Sequence, residues 1–300
     1  MRLRAEFSDR CEIQLCVFAQ DPLFSPGNNH PEGKALLEKA LSREGVDALG
    51  TTPYVEESES SMRKNVDWAV TTAVKFRKHL DFHLEYNLDP TRPPLIHYVL
   101  DRLHAEWGAI DPDKTIVFGH CTRLTLFAAD EWRHLRACIA NLPVYFVGLP
   151  TSDLYMMGKP GDEEGGGQRV RGTLQIPQMT QKYGLQGAIG VNNIGNAFTP
   201  QGNCDPLNIA SMGVGIYQAG TKADCQVLFD CVATSAKAAI GFAQPESPFE
   251  RGAPADFVLL RNGGVDKENK ADIRYRRTLQ EIIYDPPRER QTVKGGFLCH

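Results

Sequence analysis

Two histidines stand at the ends of short apolar runs, His83 in LDFHLEY (80–86) and His120 in TIVFGHC (115–121). Neutral imidazole ligates divalent metals and moves protons near pH 7, so a pair at equivalent strand ends points to one shared centre. Glu85 follows His83 by two residues, a spacing that puts both side chains on one face of a strand. Further strand ends offer Thr151, Ser152 and Asp153 after VYFVGLP (144–150), and Asn192 and Asn193 in AIGVNN (188–193). Either histidine taken alone is more often a hydrogen-bonded structural residue; the pair at equivalent ends of consecutive strands puts a shared centre and a structural role on an equal footing. His79, His97, His104 and His134 fall on helical or loop segments and read as surface residues, and His30 as a loop residue.

Other chemistries find no motif. There is no P-loop, no G-x-S-x-G elbow and no H-E-x-x-H helix. The combined H-x-E…P-C-x-x-C signature of the small zinc nucleobase deaminases is also missing, since the sequence has no P-C-x-x-C.

The elements that must position these residues repeat. Apolar runs begin at 13, 46, 80, 115, 144 and 188, with helical-period segments such as GKALLEKALSREG, NVDWAVTTAVKFRKH and ADEWRHLRACIA between them. A strand, a helix and two loops occupy roughly 30–40 residues, so the spacing predicts βα units with parallel strands. Near-continuous apolar strands fit a sheet covered by helices. Pro31 and Glu32 open one helix and Gly45 closes it; Asp130 is placed to cap another. The Gly- and charge-rich stretch 159–172 reads as a long loop, either a lid or a solvated insertion.

After Asn193, helices are expected in DPLNIASMGVGIYQAG and ADCQVLFDCVATSAKAAIGF, then isolated strands in ADFVLLR (255–261), EIIYD (281–285) and TVKGGFLCH (292–300). The expected architecture is α/β: an incomplete TIM-type (β/α) barrel over 1–243 and a small C-terminal β appendage over 244–300. About six βα units are visible, where a closed barrel needs eight.

A net charge of −4 gives no reason to expect nucleic acid as a partner, and no run approaches the roughly 20 apolar residues of a membrane span. The eight cysteines are scattered, several within apolar runs, and none forms C-x-x-C. That usage fits free thiols in a reducing compartment, hence a cytoplasmic protein.

Several blocks carry a resemblance: VFGHCTRL, VYFVGLPTSDLYMMG, RGTLQIPQM and GVNNIGNAFTPQGNCDPLNIASMGVGIYQ, followed by ATSAKAAIGF, PADFVLL and TVKGGFLCH. In these the chain resembles the amidohydrolase superfamily of metal-dependent hydrolases, in its cytosine-deaminase-like branch. The resemblance implies a divalent metal, zinc or iron, held by an H-x-H pair on the first strand, histidines on the fifth and sixth, and an aspartate on the eighth. His83 then matches the fifth-strand ligand, and His120 the sixth-strand ligand or an electrophile. Asn192 stands where the aspartate would be, with Asn193 beside it at a substrate-touching position. Glu85 becomes an acid–base or orienting group, and Thr151, Ser152 and Asp153 line the pocket. The small C-terminal β-sandwich of that family matches the expected appendage.

Three departures follow. IQLCVFAQ matches the third strand, no H-x-H occurs, and the first two strands are absent, which reads as an N-terminal truncation. Asn192 has the aspartate's shape, but its neutral amide cannot take a proton at pH 7. Tyr86 replaces a glutamate expected three residues after His83. Without the H-x-H pair, metal affinity is expected to collapse. Two readings stay open: a hydrolase acting on non-peptide C–N bonds of a small cyclic amide or amidine, or a non-catalytic remnant of one. The missing strands would leave the edges beside Leu15, Val17 and Phe18 open, so homo-oligomers are expected.

Overall fold

The structure is a computed structural model that describes residues 1–25, 31–109, 113–158, 170–242, 249–260 and 276–299. Most of the 159–172 stretch, and His30, lie outside these residues.

All six predicted βα strands form. They are β1 (Cys16–Ala19), β2 (Ala48–Thr51), β3 (His79–Leu84), β4 (Ile116–His120), β5 (Val144–Gly148) and β6 (Gly187–Ile189). They pair in sequence order, every pair parallel, into one open sheet in which β1 and β6 have a single neighbour each. This is the incomplete barrel that the spacing predicts.

The helices, in chain order, are α1 (Arg2–Glu6), α2 (Pro31–Leu41), α3 (Glu59–Phe76), α4 (Ile96–Glu106), α5 (Ala129–Ile139), α6 (Pro150–Met156), α7 (Ile176–Tyr183), α8 (Pro206–Ile216), α9 (Lys222–Val232), α10 (Thr234–Ala239) and α11 (Leu279–Tyr284). Their apolar stripes cover the outer face of the sheet: Val66, Ala69, Val70 and Ala73 from α3, Val99, Leu100 and Leu103 from α4, Leu135 from α5, all buried in one core. Opposite them, Phe82, Phe118 and Phe146 stand in register on β3, β4 and β5, all fully buried. Their ring centroids are 6.2 and 5.7 Å apart. Burying each such ring contributes about 1.5–3 kcal/mol, so this ladder fixes the register of the three strands that carry the site.

Local chemistry sets the helix ends. The Ser58 hydroxyl accepts from Ser61 N at the start of α3, and Arg77 closes that helix in the left-handed region. At α5 the cap is Ala128, not Asp130: Glu131 reaches back to accept from Ala128 N at 2.7 Å, leaving Asp130 inside the first turn.

The tail departs from expectation in two places. EIIYD is not a strand but most of α11, opened by a capping box in which Thr278 and Glu281 satisfy each other's backbone N–H. That cap, with Ile283 buried, outweighs the β-branched composition. TVKGGFLCH divides into the end of β8 (Arg290–Lys294) and β9 (Phe297–Leu298), because Gly295 and Gly296 both adopt positive φ and turn the chain. With β7 (Phe257–Leu260) these form a separate three-stranded antiparallel sheet.

Candidate functional site

Alternation along β3 decides what enters the barrel. Leu80, Phe82 and Leu84 are buried outward under the helices, while His79, Asp81 and His83 point inward and line a cavity of about 260 Å³. The same cavity is lined by Cys16, Ala48, Val117, Gly119, Val147 and Asn192, so the sheet curls round it.

Two glycines make room for the rings. Gly119 pairs with His83, and a Cβ built on it would lie 3.1 Å from the imidazole Cδ2. Gly50 lets Phe18 lie across β2, where a Cβ would meet the ring at 2.1 Å. Phe18 thereby reaches His83, edge to face with centroids 4.8 Å apart.

His120 comes by a different route. Continued alternation would send it outward after Phe118. Instead His120 and Cys121 both take left-handed φ, 63° and 48°, and the strand end kinks. Non-glycine residues there cost on the order of 1–3 kcal/mol each, a strain typical of functional sites. The kink brings the His120 ring to 4.9 Å from that of His83, nearly perpendicular to it. His120 Nδ1 donates to Asp153 Oδ1 at 2.7 Å with both side chains buried, and the Thr173 hydroxyl donates to the other carboxylate oxygen at 2.7 Å. Nδ1 is thus committed and Nε2 is left for chemistry. Tyr86 and Tyr54 flank the ring at 4.6 and 6.5 Å.

The remaining sequence candidates separate. Glu85 lies beyond the end of β3 with φ 53°, which breaks the two-residue alternation. Its carboxylate accepts from Ile96 N at 2.8 Å and caps α4, so it does not share His83's face. Thr151 and Ser152 are buried in the first turn of α6 and, with Asp153, are absent from the cavity wall. Asn192 does line the cavity, and its amide donates to the Ser152 hydroxyl at 3.3 Å. Asn193 accepts from Asn196 at 3.0 Å within its own loop.

Charge is disfavoured throughout. Burial, with a smaller effect of His120, pushes His83 down to about 3, which keeps it neutral and able to ligate. Burial alone lifts Asp81 to about 7, and burial lifts Glu85 to about 7 against its hydrogen bonds from α4. Burial also raises Asp153, against the lowering hydrogen bond from His120. Tyr54 is raised to about 12 by burial and by Asp153.

For a divalent ion the arrangement is a partial fit. His120 carries the carboxylate partner that orients metal-bound imidazoles. Asp81 Oδ1 is buried without a hydrogen-bond partner, 3.8 Å from His83 Nε2. His83, His120 and Asp81 nevertheless do not form a closed set. Among the described residues, the one trio of His, Cys, Asp or Glu donors within 4.8 Å of one another lies elsewhere.

No protein-family model and no curated sequence matches the chain. Solved structures do. A 5-methylcytosine deaminase from Klebsiella pneumoniae, liganded with 5-fluorocytosine, superposes with TM-score 0.79 at 17% identity over 99% of this chain and 65% of its own. An N-isopropylammelide isopropylaminohydrolase from Burkholderia multivorans gives 0.72 at 24% identity over the same shares. A zinc-bound adenosine deaminase from Xanthomonas campestris gives 0.57 at 17% identity over 94% of this chain and 59% of its own. The chain has the amidohydrolase fold. It spans about two thirds of the length of the first two of these amidohydrolase structures.

The inward residues of a barrel strand share one chamber, and two of those on β3 went partly unread, as did one residue from a neighbouring turn. Asp81 has a signal in the sequence, the H-x-D-x-H alternation of 79, 81 and 83. His79 is the first residue of β3, half-buried and bonded to Thr115, and not a surface residue. Tyr54, from the turn after β2, has no such signal. Asp153 was legible as a strand-end residue, but holding His120, rather than lining the pocket, depends on the kink at 120–121.

Proposed function

We propose that the chain provides the fifth- and sixth-strand half of a hydrolytic centre for non-peptide C–N bonds in a small cyclic amide or amidine. The single observation that carries this reading is the His83–His120 pair, brought ring to ring by the left-handed strand end and locked by Asp153. The deaminase and aminohydrolase structures sharing the fold support the reaction class. His83 and His120 would hold a divalent ion, zinc or iron; when bound, such an ion lowers the pKa of a water to about 7. Fixed by Asp153 through Nδ1, His120 would offer its Nε2 either to that ion as a ligand or, as an electrophile, to the attacked carbon's substituent. Asp81, held near pH 7, takes or returns a proton at the cavity wall. Phe18, Tyr54 and Tyr86 keep water from the rings and offer apolar faces to a flat heterocycle.

A second reading, a barrel without turnover, is favoured by one feature: among the described residues the two imidazoles find no third donor in closed range, whereas three protein ligands are usual at catalytic zinc. Asn192, neutral and engaged with Ser152, does not replace it. Ammonia release from cytosine- and ammelide-type compounds at saturating zinc separates the two. Release abolished by His120→Asn supports the hydrolase; none above background supports the silent barrel.

Location and partners follow the same reading. All eight cysteines are free, which suits a reducing cytoplasm. Among the described residues no helix is long and apolar enough to cross a membrane. The partner proposed is a small-molecule substrate, with no role for nucleic acid.

A further inference from the structure

On the helical layer, away from the cavity, α4 and α5 bring three ligand-type side chains together. His97 lies in the first turn of α4, and His134 and Cys138 lie four residues apart on one face of α5. One donor atom from each falls within 4.8 Å of the other two. His134 Nε2 and Cys138 Sγ are 3.5 Å apart. Zinc bonds of about 2.0 Å to nitrogen and 2.3 Å to sulfur put tetrahedral N and S ligands about 3.5 Å from each other, so this edge is already at coordination spacing.

The surroundings resemble a supported site. His97 stacks on Phe127, with rings 3° from parallel, and its Nδ1 is buried with no hydrogen-bond partner. The His97 and His134 centroids are 5.2 Å apart. His104 bonds the Cys138 carbonyl at 2.7 Å and ties that turn of α5 to α4. The carboxylates of Asp101 and Glu131 act on His97 electrostatically and offset the cationic charge an ion would bring. Exposed His134 and half-buried Cys138 leave an entry path from solvent.

We propose that His97, His134 and Cys138 form a zinc site, two nitrogens and one thiolate with the fourth position open to water, clamping α4 to α5. Binding displaces the Cys138 thiol proton to solvent as the zinc–sulfur bond forms. The site is independent of the chemistry inside the barrel.

Cobalt(II) titration of the metal-free full chain tests it. The expected result is a near-ultraviolet thiolate-to-cobalt charge-transfer band that saturates at one ion per chain. Cys138→Ser abolishes the band, while Cys16→Ser and His83→Gln leave it intact. His97→Gln and His134→Gln each weaken binding by at least about tenfold, the loss seen even for outer-shell partners. Zinc raises the melting temperature of the parent chain by more than that of Cys138→Ser. Absence of the band, or its survival in Cys138→Ser, overturns the proposal.

Discussion

Gly119 lies across the β3–β4 ladder from His83, and the imidazole rests against the place where a side chain would begin, 3.1 Å from a built Cβ. The ring is therefore held by an absence on the neighbouring strand. Gly119→Ala must move the His83 ring by a few tenths of an ångström. We expect a loss of hydrolytic rate or metal affinity of about tenfold or more, with a melting-temperature change of only a few degrees. Equal losses in stability and function would instead mean that the strand itself had shifted.

Asp153 is the residue whose removal should cost most for its size. Asp153→Asn keeps the shape but takes a charged acceptor from two buried donors, His120 Nδ1 and the Thr173 hydroxyl. Stability should fall by about 1.5–3 kcal/mol. Denaturant unfolding measures this, and nitrogen NMR of the His120 ring should report loss of the fixed Nδ1–H tautomer.

His79 should leave a signature in the pH dependence of stability. Burial, then Lys114, pushes it down to about 4, against the raising effect of Asp47 and Asp113. Its Nδ1 accepts from Thr115 N at 3.0 Å and its ring packs against Gly241, so the folded protein holds it neutral. The unfolded chain binds its proton near pH 6.5, before the folded chain does. The stability it contributes is complete above pH 6.5 and is lost as pH falls toward 4. Compared with the parent, His79→Gln should show a flatter stability profile across that window. Parallel profiles would remove His79 from the account.

Among the described residues the end strands β1 and β6 each pair with one neighbour, and the small sheet exposes Val258 and Phe297. Leu15, Val17 and Phe18, expected at the open edge, are half-buried, which leaves backbone groups rather than side chains as the adhesive feature. We predict elution as a dimer or larger species in size exclusion. A sharp monomer peak with cooperative melting contradicts this.

Much of the barrel was legible because its strands are continuous apolar runs at regular spacing, a pattern that needs no tertiary information. His83 and His120 were legible for the same reason, as polar residues at the ends of such runs. Glu85 was misplaced because a two-residue rule holds only while the strand lasts, and β3 stops at Leu84. The EIIYD segment misled in the same way: Ile282, Ile283 and Tyr284 favour strands, but the Thr278–Glu281 box four residues earlier starts a helix. The left-handed residues at 120 and 121 have no glycine to announce them, so the contact between His120 and Asp153 could not be read in advance.

The central claim is that His83 and His120 can face one ion. Proton NMR of the Cys138→Ser chain in excess cobalt(II), with the outer cluster disabled, tests it most directly. We predict hyperfine-shifted imidazole N–H resonances, one set lost in His83→Gln and another in His120→Gln. A spectrum without such shifts, or one that either substitution leaves unchanged, would contradict the claim.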